Sequence, residues 1–132
     1  MADDRADMAF QNSIHTIPTA LDSFRVETDN IGRMEIPADA YWGINVARAL
    51  DNFAISGRAI SIYPDFIFAY ACVKQAAARA NAEIGVLESA TAALIDQACE
   101  EIKGGDLLDQ VVVDGIQGGA GPSTNMNVNE VI

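Results

Sequence analysis

Apolar and polar residues alternate near the start of the chain and then follow helical spacing over most of its length. Alternation over 24–28 and 34–36, on either side of an Asp-Asn-Ile-Gly turn at 29–32, predicts a short β-hairpin. Residues 1–22 are mixed polar and small, without a clear period, and are expected to form a flexible tail. The folded domain is therefore predicted over residues 23–132, as one unit.

Three further ranges, 41–52, 64–84 and 88–103, carry apolar residues at helical spacing. The second of these helices is apolar on nearly every side, which is typical of a helix buried in a larger assembly. Its short connection to the third helix predicts antiparallel packing of the two. The predicted inward faces are Trp42, Val46, Ala49 and Phe53 on the first helix and Leu87, Thr91, Leu94, Ala98 and Ile102 on the third. These elements predict a mainly α fold with a short β-hairpin.

Charge and composition narrow the range of partners. The 132 residues include 8 Lys and Arg against 19 Asp and Glu, for a formal net charge of -11. Such a surface repels nucleic acid and anionic lipid, so neither is an expected partner. No signal peptide or transmembrane span is predicted, and a cytoplasmic protein is expected.

The residues that most often bind metals or form disulfides are scarce. Cys72 and Cys99 lie in Ala-rich apolar stretches and are expected to be buried, reduced thiols. The single histidine, His15, falls in the predicted tail and is expected to be incidental. No metal site and no cofactor are predicted. Asp109 and Asp114 are interpreted as solvated surface charges rather than as an acid–base pair.

A glycine-rich segment near the end of the sequence is the strongest candidate for chemistry. Glycines at 118, 119 and 121 precede Ser123 and Thr124, and asparagines follow at 125, 127 and 129. Asn127 and Glu130 have capping-box spacing, which predicts a helix start whose free N–H groups favour a carboxylate. The plain alternative is a tight turn with a helix cap, and the asparagines could instead be buried amides that bond loops or a neighbouring chain. The predicted helix looks cut off, so a front piece of a longer enzyme is expected.

Four motifs, in order, resemble the aspartase/fumarase superfamily, and together they cover the sequence from the hairpin to its last residue. Thr124–Glu130 matches the family's Thr-Asn-Met-Asn-x-Asn-Glu region. Glu35–Gly43 is similar to the entry segment of the family, and Val73–Asn81 to its long Ala-rich helix. Arg48–Ser56 resembles an Arg-x-x-Glu-Asn-Phe stretch, with Asp51 in place of Glu.

The resemblance implies a lyase that removes a proton next to a carboxylate and stabilises the resulting intermediate with fixed donors. It implies substrate contacts from Gly121, Ser123, Thr124 and Asn125, a small dicarboxylate as substrate, and a homotetramer whose sites combine three subunits. The family's catalytic loop has no counterpart here, so this piece is expected to hold no catalytic residue and to be inactive alone. Where the family has Thr after the glycine, this chain has Pro122, which offers neither a hydroxyl nor an N–H.

Three functions remain open from the sequence. The glycine run at 117–121 and the pair at 80–81 look like aspartate ammonia-lyase, which favours the N-terminal domain of an enzyme that converts L-aspartate to fumarate and ammonia. The triplet at 41–43 looks more like class II fumarase. The third possibility is a stand-alone, non-catalytic helical module that binds an anion or a partner.

Overall fold

The mainly α fold with a β-hairpin is confirmed in a computed structural model, which describes residues 23–118 and 121–132. The predicted tail, residues 1–22 with His15, lies outside the described residues and stays a prediction. The strands are β1 (Phe24–Thr28) and β2 (Arg33–Pro37), and the helices are α1 (Ile44–Asn52), α2 (Pro64–Glu83), α3 (Ser89–Gly104) and α4 (Pro122–Val131). Single 3-10 turns cover Ile60–Ile62 and Leu108–Gln110.

The hairpin is antiparallel, and apolar side chains lie on both of its faces. The apolar side chains of Phe24 and Val26 are half exposed on the outer face. The inner face places Ile36 fully inside, but beside it lies Arg25, which donates to three backbone carbonyls between residues 37 and 42 at 2.5–3.0 Å. Charge-assisted hydrogen bonds therefore attach the hairpin together with apolar burial.

The predicted turn between the strands is organised by one carboxylate. Asp29 accepts the backbone N–H groups of Ile31 and Gly32 at 2.8 and 3.0 Å, as an Asx turn does. Its two oxygens also accept Arg48 of α1, both at 2.6 Å. The hydrogen bond from Arg48 is the main cause that holds the pKa of Asp29 well below its usual range. The turn is thus joined to the first helix by a bidentate ion pair.

α2 and α3 pack antiparallel as predicted, but the inward face predicted for α3 is only partly correct: Ile102 is buried as predicted. Thr91 and Leu94 are exposed, and the buried positions are Ala92, Cys99 and Ile102. The facing residues of α2 are also small or polar, since its buried face is Ile67, Ala71, Gln75 and Ala78. Small side chains let the two helix axes approach closely, whereas the large Leu94 would hold them apart.

The core is shared by all four helices and by the chain that follows α3. Its buried members are Val46, Ala49, Ile60, Ile67, Ala71, Cys99, Ile102, Val111, Val113, Val128 and Val131. Trp42 and Phe53 pack against this cluster, which confirms the predicted inward face of α1. The segment around Val111 and Val113 is buried and extended but makes only an isolated bridge, from Ala59 to Asp114. Both cysteines are free thiols, Cys99 buried and Cys72 half-buried.

Outside that core, α2 keeps a large apolar surface. Phe66 and Phe68 are 44% and 46% exposed and Val73 is 63% exposed. Within the described chain the helix is therefore buried on one face, and the predicted larger assembly stays a prediction. No helix among the described residues is long and apolar enough to cross a membrane.

Candidate functional site

The glycine-rich segment leads directly into α4. Gly121 is the residue before the helix and adopts a left-handed conformation, with φ of 70°, which favours glycine. Pro122 takes the first helical position, where its missing N–H costs nothing. In the described residues no side chain caps this helix, so the N–H groups of its first turn stay available. Gly119 and Ala120 lie outside the described residues.

The four predicted site residues lie together at this helix start, with different accessibility. Ser123 and Asn125 are half-buried, as is Gly121, whereas Thr124 is 5% exposed. The Thr124 side chain therefore faces the interior. The structure leaves the backbone of the segment, with the Ser123 and Asn125 side chains, as the part that a small ligand could contact.

The predicted capping box is wrong, because α4 begins well before it. Asn127 lies inside the helix and is fully buried. Its carbonyl oxygen accepts the N–H groups of Val112 and Val113 at 2.8 and 3.2 Å, and its amide donates to the Gln110 carbonyl at 2.9 Å. This side chain satisfies a buried loop, as the spacing of the asparagines had suggested.

Glu130 caps a different helix from the predicted one. Its carboxylate accepts the backbone N–H groups of Gly43, Asn45 and Val46, at the start of α1, at 2.8–3.1 Å. Glu27 of the hairpin accepts the N–H of Ile44 at 2.9 Å. The anion-binding end of α1 is thus already occupied by two carboxylates of the chain itself, and α1 begins later than predicted because these residues form its cap.

Lys74 of α2 is a cation next to the candidate site that sequence reasoning missed. Its ammonium donates to Oδ1 of Asn125 at 2.5 Å. Arg25, Arg48, Arg79 and Lys103 each pair with a carboxylate, but Lys74 has no carboxylate partner in the described part of the chain. A lone lysine within an Ala-rich apolar helix was the signal that could have found it.

Lys74 also lines a cleft between α2, the start of α3 and the end of α4. Its volume is about 270 Å³, and its polar lining comes from Lys74, Asn81 and Asn129. Ala78, Leu87, Ile95 and Ile132 supply an apolar lining. Lys74 therefore contacts the first turn of α4 through Asn125 and also lines this cleft.

The entry to the glycine segment is fixed by Asp114, which corrects its interpretation as a solvated charge. Asp114 is 7% exposed and accepts the hydroxyl of Ser56 at 2.6 Å and the N–H groups of Ser56, Gly57 and Ile116 at 2.7–2.9 Å. The Ser56 hydroxyl and these backbone donors hold the pKa of the Asp114 carboxyl well below its usual range. Asp109 is exposed, as expected.

Between Asp114 and α4 the chain fits closely against its surroundings. A Cβ placed on Gly118 would lie 2.9 Å from the ring of Phe53, so this position requires glycine or a shift of the ring. Gln117 donates to the carbonyl of Asp114 at 2.5 Å, while its buried Oε1 has no partner among the described residues. Across residues 23–118 and 121–132 no three His, Cys, Asp or Glu side chains lie close enough to hold a metal ion.

Comparison with known proteins shows clear relatives. A family model described as Lyase matches residues 32–132. Aspartate ammonia-lyase of Pseudomonas canavaninivorans is 54% identical over 110 residues, which cover 83% of this chain and 23% of that protein. The chain thus spans about a quarter of the length of the curated relatives that it matches.

Solved structures give the same picture. The structure of fumarate lyase:delta crystallin from Brucella melitensis in native form matches with a TM-score of 0.80 and 47% identity, over 83% of this chain and 25% of that one. Recombinant class II fumarase from Schistosoma mansoni matches with a TM-score of 0.77 and 33% identity, over 83% of this chain and 23% of that one.

Proposed function

Because the chain belongs to the lyase family whose model matches residues 32–132, a member of the aspartase/fumarase superfamily, we propose that it forms the N-terminal domain of an ammonia-lyase that converts L-aspartate to fumarate and ammonia. The similarity to aspartate ammonia-lyases supports this substrate. In the proposal the domain supplies one edge of a dicarboxylate site, and the catalytic residues come from the rest of the protein and from neighbouring subunits of a homotetramer.

The observation that carries the proposal is the local structure at the start of α4. The N–H groups of Ser123 and Thr124 have no side-chain cap, and the Lys74 ammonium contacts Asn125 in the same helical turn, in a chain whose net charge is -11. N–H groups at a helix start and a nearby cation both attract a carboxylate. In the proposed reaction these groups bind one carboxylate of aspartate while a base elsewhere removes the proton beside the other.

Thr124 has a revised role within this proposal. Because its side chain is buried, its contribution to the substrate is expected from the backbone N–H alone. Gly121 lets the chain turn into the helix, and Ser123 and Asn125 present side-chain donors to solvent.

A class II fumarase is the second candidate. The 33% identity with the Schistosoma mansoni fumarase over most of the chain favours it, together with the Tyr41-Trp42-Gly43 triplet. Both reactions share fumarate as product, and both need a site for two carboxylates. They differ in whether ammonia or water leaves, which depends on residues that this chain does not contain.

The deciding experiment is an assay of the full-length protein with L-aspartate and, separately, with L-malate. Fumarate release from aspartate and not from malate is the expected result. Release from malate alone would assign the protein to the fumarases. The 132-residue chain by itself is expected to release no fumarate from either compound, and measurable turnover by it would overturn the division of the site proposed above.

Pro122 offers a more local test. The resemblance implies a threonine contact to substrate at this position, so Pro122→Thr in the full-length protein should lower KM for aspartate, because it restores an N–H and a hydroxyl. If Ser123 has taken over that contact, Ser123→Ala should raise KM in the natural background and have less effect in the Pro122→Thr background. An unchanged KM in both single variants would remove this segment from the substrate site.

A further inference from the structure

We propose that Lys74 is a positioning residue for the carboxylate site, because it turns the Asn125 amide so that its NH2 group faces an incoming dicarboxylate. The inference rests on the proposed function and concerns the same site. It begins from one contact, the ammonium of Lys74 on Oδ1 of Asn125 at 2.5 Å, which joins α2 to the first turn of α4.

The chemistry of the two groups fixes the orientation. An ammonium has three donors and no acceptor, so it can bind only the oxygen of a carboxamide. Once Oδ1 is held, Nδ2 must point along the other arm of the planar carboxamide, away from Lys74. Among the described residues Nδ2 of Asn125 has no acceptor, and the residue is half-buried rather than enclosed. The Asn125 side chain is therefore held in one orientation, and its NH2 group makes no hydrogen bond to a described residue.

The charge of Lys74 adds to this orientation. The other half-buried cations of the described chain are bound to carboxylates, such as Arg48 to Asp29 and Lys103 to Glu100. Lys74 makes no ion pair with a described residue, and it lines the adjoining cleft. In a chain with 19 acidic residues, a small dianion needs such a local positive field to approach.

The Lys74–Asn125 pair thus distinguishes a carboxylate from neutral or cationic ligands. A carboxylate accepts the Nδ2 hydrogen bond and is attracted by the ammonium behind the amide, whereas an amine would be repelled and left without an acceptor. The pair is therefore selective for one carboxylate of the substrate, and the role of Lys74 is carried through Asn125 rather than through the reacting atoms.

The test measures succinate, an unreactive dicarboxylate, binding to the full-length protein by calorimetry. Lys74→Met, which keeps the side-chain length and removes the charge, should weaken succinate binding about tenfold or more. The double variant with Asn125→Ala should lose less succinate affinity than the sum of the losses in the two single variants, since the two residues share one contact. Lys103→Met is the matched control, because this lysine contacts Glu100 and Gln75 rather than Asn125, and it should bind succinate as the natural protein does.

A second variant keeps the inference testable if Lys74→Met does not fold. Asn125→Asp retains an oxygen for Lys74 and should therefore keep the melting temperature, but it replaces the donor with a negative charge and should abolish succinate binding. Succinate affinity within twofold of the natural protein in either Lys74→Met or Asn125→Asp would overturn the inference. Loss of binding in both, without turnover of aspartate or malate by the natural protein, would leave the inference standing and defeat the proposed function.

Discussion

The carboxylate of Glu130, in the last turn of α4, accepts the backbone N–H of Gly43 at 2.8 Å across 87 residues of sequence. The same carboxylate accepts the next free N–H groups of α1 and the side-chain amide of Asn45. A Cβ on Gly43 would lie 3.2 Å from this carboxylate and 2.8 Å from that of Glu27, so glycine lets both acids approach the helix start. This contact joins the last turn of α4 to the start of α1.

Removal of the Glu130 carboxylate should destabilise the fold. Glu130→Ala leaves three backbone N–H groups without their acceptor, and a loss of about 1–2 kcal/mol in the free energy of unfolding is expected. Glu130→Gln keeps one acceptor oxygen but not the charge that favours a helix start, so its loss should be smaller. Urea denaturation of the chain gives the comparison.

Glu83→Ala is the matched control for this series, because Glu83 is an exposed acid at the end of α2. Its effect should stay within about 0.5 kcal/mol. A Glu130→Ala protein as stable as the Glu83→Ala protein would show that the capping contact contributes nothing.

Asn127→Ala should be more damaging than a surface substitution on the same helix. It leaves the N–H groups of Val112 and Val113 buried without an acceptor, at an expected cost of about 2–3 kcal/mol in unfolding free energy. Asn129→Ala, two residues later and exposed, is the control and should change stability little. Thermal unfolding should give a lower melting temperature for Asn127→Ala than for Asn129→Ala. Similar melting temperatures would contradict the role given to Asn127.

Gly118→Ala should strain the glycine segment against Phe53. Its added methyl group would lie 2.9 Å from the ring, and overpacking of this kind costs about 1–3 kcal/mol. Phe53→Leu in the Gly118→Ala background should recover part of that loss by making room. Gly104→Ala is the control glycine, since it has open space around it and should be neutral or slightly stabilising. No difference between the two alanine variants would refute the close fit.

Asp114 should contribute to acid sensitivity. Its carboxyl pKa is lower in the folded chain than the unfolded value of about 3.9. Such a group stabilises the fold above the unfolded pKa, and that stabilisation is lost as the pH falls below it toward the folded pKa. Asp114→Asn should therefore reduce stability at neutral pH and flatten its decline below about pH 5.

The measurement is the free energy of unfolding by urea at a series of pH values from neutral to acidic. Asp109→Asn provides the control, since this exposed carboxylate makes a single bond to the neighbouring Gln110 amide. It should keep the natural slope. Identical acid slopes for the natural chain and Asp114→Asn would exclude Asp114 as a cause.

Local signals in the sequence were sufficient for most of the secondary structure. Pro64 marks the start of α2, and the Asp29 turn marks the hairpin, because each acts through the backbone of its own neighbours. The inward face of α1 also followed from spacing, since large apolar residues lie on one side only. The family followed from four motifs in order, and the family model that covers 32–132 confirms it.

Long-range contacts account for what the sequence reasoning assigned wrongly. Asn127 and Glu130 have the spacing of a local capping box, yet each binds backbone groups far away in sequence. No local feature of the sequence around Asp114 indicates that the backbone of residues 56 and 57 donates to its carboxylate. In α3 the close approach of α2 selected Ala92 and Cys99 for burial, which no hydrophobicity pattern favours over Leu94.

α4 has ten residues, and both of its ends are fixed by contacts. The glycine segment enters at its start, and the Glu130 carboxylate near its end binds α1. Since an α-helix advances about 100° per residue, inserting or deleting one residue between Gly121 and Glu130 would swing the Glu130 carboxylate away from α1 or twist the glycine segment off its course. The length of this helix is consequently under a tighter constraint than its composition, and natural relatives should vary here by substitution and not by gaps.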